Sequence, residues 1–153
     1  MFQGPSQFRL VLLIAAVFAM VWGLVLNSAA IGSDLPRTAA PSGAALYLIS
    51  PHPGEVVSSP VTVRFGLKGM GVAPAGVVNP RAGHHHLIID AELPDLGMPV
   101  PSDANHRHFG GGQTEVTLEL SSGVHTLQLV LGDHLHVPFD PPIVSDRISI
   151  QVE

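Results

Sequence analysis

The stretch "EVTLELSSGVHTLQLVL", residues 115–131, decides the fold class. Val116, Leu118 and Leu120 alternate with Glu115, Thr117 and Glu119. After "SSG" (121–123) the alternation resumes with Leu127, Leu129 and Leu131. Period two with one polar face is the signature of half-buried strands, and a short Ser/Gly segment between them predicts a hairpin. Working outward, "VTVRFGL" (61–67) sets Val61, Val63, Phe65 and Leu67 on one side, and "RISIQV" (147–152) closes with Ile148, Ile150 and Val152. No segment past position 45 carries a helical stripe. The expected fold is all-β, an immunoglobulin-like antiparallel β-sandwich.

Ahead of it lies a different composition. Residues 10–26, "LVLLIAAVFAMVWGLVL", are 17 uncharged, mostly apolar residues preceded by Arg9 and followed by the small residues Ser28 and Ala30. That layout predicts a secretory signal peptide or an uncleaved membrane anchor over 1–30, with the rest of the chain exported to the periplasm or another extracytoplasmic space. Residues 31–45, rich in Pro, Ala, Gly and Ser, read as a flexible linker, and 46–153 as the folded domain. With no cysteine, neither a disulfide nor a lipid-bearing thiol is available. Of seven basic residues one is Arg9, so six face twelve acidic ones in the remainder. That balance excludes a nucleic-acid partner and suits a cation. The membrane is expected to be met only through the N-terminal segment.

Charged residues make up 12% of the chain, yet it keeps nine histidines. Seven of them fall in three clusters: "HHH" at 84–86, "HRH" at 106–108 and "HLH" at 134–136. In a strand, residues i and i+2 share a face, so His84 and His86 lie together with Ile88, while His85 goes with Leu87 and Ile89. The predicted first shell is His84, His86, His106, His108, His134 and His136. Asp133 is a carboxylate ligand or an acceptor behind an imidazole. Imidazole-only sites favour divalent copper or zinc over soft Cu(I). His52, in "SPHPG", reads as a surface turn residue, and His125, in phase with Leu127, as a hydrogen-bonded interior one.

Convergence depends on topology. If residues 90–112 merely turned at one end, the clusters would stand about 20 Å apart. If the segment crosses the sandwich, all three meet beneath the loop 68–83. The crossing is the expectation, with "LGMPVP" (96–101) as a short edge strand.

Several stretches together resemble a known family. "FGLKGMGVAPAG" (65–76), "GHHHLIID" (83–90), "HFGGGQTE" (108–115), "GVHTLQLVLGDHLHVP" (123–138) and "PPIVSDRISI" (141–150) look like an exported bacterial family known as domain of unknown function 4399. "LISPHPGEVVSSPVTVRF" (48–65) is similar to the opening of bacterial extracellular immunoglobulin-like domains. The resemblance implies a secreted β-domain and brings no settled activity. It also implies that position 134 varies and that a histidine can stand where this chain has Phe139.

Three functions follow as expectations. The first is an exported metal-binding domain that binds or delivers copper or zinc. The second is a structural or interaction domain with a protein partner in the cell envelope, and the third a metal-dependent enzyme. No nucleophile elbow, serine triad, phosphate loop or calcium loop is present in the sequence, and no dedicated general base stands out, so an enzyme is the least favoured.

Overall fold

The computed structural model describes residues 35–153; the signal or anchor expected over 1–30 lies outside them. Among the described residues there is no helix, and nine strands form two sheets. The smaller sheet has the order β1-β3-β7, from β1 (Ala45–Ser50), β3 (Val61–Lys68) and β7 (Glu115–Leu118). The larger runs β2-β9-β8-β5-β4, from β2 (Val56–Val57), β9 (Ile148–Val152), β8 (Gly123–Gly132), β5 (Ala82–Ile89) and β4 (Gly71–Val72). A further strand, β6 (His106–His108), pairs with β5. The fold is the expected all-β sandwich. Two short pairings, β2 with β9 and β4 with β5, are parallel rather than antiparallel.

The core lies between the sheets. Val61, Val63 and Phe65 face Leu127, Leu129, Leu131, Ile148, Ile150 and Val152, the apolar residues that the period-two pattern assigns inward. One expectation is corrected here. Residues 121–123 do not close a hairpin: β7 pairs with β3, whereas β8 pairs with β5 and β9. "SSG" carries the chain from one sheet to the other. The alternation is the same on either side because both strands bury one face in the same core.

β5 is buried at all eight positions. Its inner face sends His85, Leu87 and Ile89 toward the core, where the His85 ring packs 5.2 Å from that of Phe65. Its outer face is covered as well. Ile88 packs there with Val130 and Val100, joined by Ala91, Leu93 and Val144. The residues between β5 and β6 therefore form a lid on the outer face, and "LGMPVP" contributes Val100 to it rather than an edge strand. The chain then returns along the edge of β5 as β6.

Of the stretch read as a linker, residues 37–40 are hydrogen-bonded to 138–140: Ala40 N–H donates to Asp140 O at 2.7 Å and Asp140 N–H to Thr38 O at 2.9 Å. At the far end of β5, Asp90 holds the start of β8. Its carboxylate accepts from Thr126 N–H at 2.7 Å and lies 2.6 Å from His125 Nδ1. His125 Nε2 lies 2.8 Å from Ser121 O. Two oxygen acceptors on one imidazole favour the doubly protonated ring, so the Asp90 carboxylate in particular holds the His125 pKa above its ordinary 6.5. With both nitrogens engaged, no lone pair is left to activate Ser121 Oγ at 3.5 Å. The trio is a structural latch. A group whose folded pKa is raised adds stability that is full below its unfolded pKa and lost as pH rises through the folded value. His125→Gln is expected to cost most stability near pH 6 and progressively less toward pH 9, measured by urea unfolding of both proteins across that range.

Candidate metal centre

Strand pairing brings the histidines together. β6 runs antiparallel to β5 with His108 opposite His86 and His106 opposite Ile88. β8 ends with Gly132 opposite His84, so residues 133–136 begin beside the same end of β5. His84, His86, His108 and His136 each offer a ring nitrogen, and these atoms all lie within 4.8 Å of one another. A tetrahedral zinc site with bonds of about 2.0–2.1 Å needs nitrogens about 3.3 Å apart. His84 Nε2 and His136 Nδ1 stand at 3.0 Å, and any wider separations, none above 4.8 Å, would shorten around an ion.

The four rings differ in surroundings. His84 and His86 are fully buried on β5, His136 is half-buried and His108 is exposed. Both nitrogens of His86 and Nδ1 of His84 are buried without a hydrogen-bond partner. Such groups cost about 1–3 kcal/mol each when left unpaired. Burial, followed by the neighbouring imidazoles, lowers the His84 pKa to about 4 and the His86 pKa to about 3. Burial also lowers that of His108, with His136 adding to it. The buried pair is thus held neutral, the form in which imidazole binds metal. Four histidines so placed form a group that can hold a metal ion.

His106 and His134 stand outside the group. His106 is one strand repeat further along β6, about 7 Å away, and its Nδ1 is held 2.9 Å from Asp103 Oδ1. The "HLH" segment is a turn, not a strand, closed by His136 N–H donating to Asp133 O at 2.9 Å. The i, i+2 rule therefore fails there. His134 Nδ1 lies 3.9 Å from Asp133 Oδ2, and His136 alone reaches the cluster, with a left-handed φ of 67°. Histidine is among the residues that tolerate that region. Asp133 is committed elsewhere: Oδ1 accepts from Leu135 N–H and Val137 N–H, and Oδ2 from Thr38 Oγ. His85 faces the core, with Nδ1–H donating to Gln113 O at 3.2 Å. His52 is in an exposed turn beside Glu55.

Two glycines shape the site, a role that the sequence did not reveal. A Cβ on Gly132 would stand 2.7 Å from His86 Cε1, and one on Gly110 would stand 2.3 Å from His108 Cε1. Each imidazole lies over bare backbone. The loop between β4 and β5 braces the surrounding segments, with Ala75 N–H donating to Gly110 O and Gly76 N–H to His134 O.

Comparison with known families agrees with the sequence resemblance. The family model described as Domain of unknown function (DUF4399) matches residues 63–153. The chain belongs to that family. No curated protein and no solved structure matched it. The match runs from within β3 through β9 and includes all four clustered histidines, so the DUF4399 domain contains the whole candidate centre.

Because Gly132 packs against a buried ring, Gly132→Ala should lower stability by about 1–3 kcal/mol in denaturant titrations. Gly110→Ala should instead displace the exposed His108 ring. Its imidazole NMR shifts are expected to change, whereas Gly111→Ala, which meets only the flexible Gln113 side chain, should leave them in place.

Proposed function

We propose that this DUF4399 protein is an exported, membrane-tethered metal-binding domain that captures and passes on divalent copper or zinc through His84, His86, His108 and His136. The observation that carries the reading is the state of His86: fully buried, with neither ring nitrogen paired, and surrounded by three other imidazoles. A protein interior rarely keeps such a group unless something supplies the missing interaction. A cation bound by neutral nitrogens does so, and the all-nitrogen donor set matches copper(II) and zinc rather than calcium or magnesium.

Exchangeable cargo fits better than a purely structural ion. Two ligands come from a rigid buried strand, and the other two lie on the solvent side, where a partner's ligands can displace them one at a time. Export and tethering are supported by the apolar run at 10–26 with Arg9 ahead of it. An acidic balance draws cations to the surface.

The test is calorimetric titration of the full chain, in mild detergent, with Cu(II) and Zn(II). Stoichiometric binding of one ion is expected, weakened more than about 100-fold by His86→Ala, a larger loss than outer-shell changes cause. His106→Ala and His134→Ala should leave it nearly unchanged. Binding that is absent, or equally strong in His86→Ala, would refute the reading. The pH dependence has a definite sign. Protonation competes with metal, and the two buried rings resist protonation until well below their ordinary 6.5. Affinity should therefore survive to lower pH than that of an exposed histidine tag, whose rings protonate near 6.5.

A further inference from the structure

We propose that residues 37–40 are a strap that positions the metal centre, with Thr38 acting through Asp133 on His136. This rests on the metal-binding reading of the four histidines. His136 is the ligand furthest from regular structure: it ends a turn, carries a left-handed backbone and is presented by the loop 133–137. That loop is wrapped around one carboxylate. Asp133, only 2% exposed, accepts from Leu135 N–H at 2.9 Å and Val137 N–H at 3.1 Å through Oδ1. Its own carbonyl takes His136 N–H, and its N–H donates to Val137 O. His136 O is braced in turn by Val100 N–H at 2.9 Å.

Oδ2 is held by a residue 95 positions away. Thr38 Oγ donates to it at 2.7 Å. The strap is fastened on the other flank of the loop by Arg37, whose guanidinium donates to Pro138 O at 3.0 Å and to Phe139 O, and lies 3.3 Å from Asp140 Oδ1. Backbone bonds of Thr38 and Ala40 to Asp140 complete the attachment. Remove the Thr38 hydroxyl and Oδ2 is left buried with no hydrogen bond. One replacement donor within reach is His134 Nδ1, now 3.9 Å away. Drawing that ring inward would turn the 134–136 segment and pull His136 from the cluster.

Linkage makes the effect reciprocal. If the strap favours the metal-competent loop, metal that fixes His136 must also tighten the strap, which follows the apolar N-terminal run in sequence. Occupancy of the site is thereby reported to the segment next to the expected tether.

The experiment compares wild-type full chain with Thr38→Val, which keeps the shape and loses the hydroxyl, and Thr38→Ser, which restores it. Zn(II) affinity and amide hydrogen exchange are both read. Thr38→Val should weaken Zn(II) about 10-fold, in the range of outer-shell changes, and speed exchange at Leu135 and Val137 in metal-free protein. Thr38→Ser should restore both, and Zn(II) should slow exchange at Ala40 and Asp140 in the wild type. Wild-type affinity in Thr38→Val, or unchanged protection at Leu135 and Val137, overturns the strap while leaving the metal reading intact. Failure of the wild type itself to bind Zn(II) or Cu(II) overturns the metal reading, and the strap's role in binding with it. The metal-free exchange data then separate that failure from a strap that does not hold the loop.

Discussion

β5 is buried on both faces, and the rest of the domain is arranged around what each face carries. The inner face is mostly apolar: Leu87 and Ile89 join the inter-sheet core, and His85 packs on Phe65 and donates from Nδ1 to the Gln113 carbonyl, its Nε2 remaining unpaired. The outer face carries His84 and His86, flanked by β6 and covered by the loop 133–137. A cover over two buried imidazoles must bring hydrogen-bond partners or leave nitrogens stranded. Here it brings His108 and His136. The resulting ring contacts, with centroids 4.7–5.2 Å apart for the closer pairs, include one nitrogen-to-nitrogen hydrogen bond, between His84 and His136. The pocket does not satisfy itself.

Much of this was legible in the sequence because alternation maps directly onto burial. Val61, Val63, Phe65, Leu127, Leu129, Leu131, Ile148, Ile150 and Val152 are all in the core that the pattern assigns them to. The split of "HHH" into an outer pair and an inner single residue follows from the same period. What alternation cannot encode is the partner. Glu115–Leu118 and Gly123–Gly132 have the same rhythm whether they pair with each other or sit in opposite sheets, and only the tertiary arrangement distinguishes a hairpin from a sheet-to-sheet connection.

The site was legible to the extent that its residues lie in strands. His84, His86 and His108 do. "HLH" contains the same spacing but sits in a turn folded around Asp133, so one of its rings reaches the cluster and the other does not. His106 shares the face of His108 but falls a strand repeat short, and Asp103 occupies it. Gly110, read with Gly111 and Gly112 as a bulge or tight bend, and Gly132 do not announce their role, because a glycine in a loop or at a strand end normally signals a bend. Here each also leaves the space that an imidazole fills. Thr38 lies in a stretch whose composition reads as linker, and nothing local distinguishes a threonine that will find a buried carboxylate 95 residues away.

The separation of core and centre bears on what the metal would do. The main core is a continuous apolar cluster drawn from both sheets, and it takes Leu87 and Ile89 from β5, whereas alternation puts His84 and His86 on the strand's other face. A domain of this size with such a core is expected to fold without an ion, unlike small zinc modules in which binding energy is folding energy. On the proposed carrier function, binding energy at the four histidines would then be available for exchange with a partner. The lid and the loop 133–137 are tied to one another and to the strap by hydrogen bonds such as Val100 to His136 and Thr38 to Asp133.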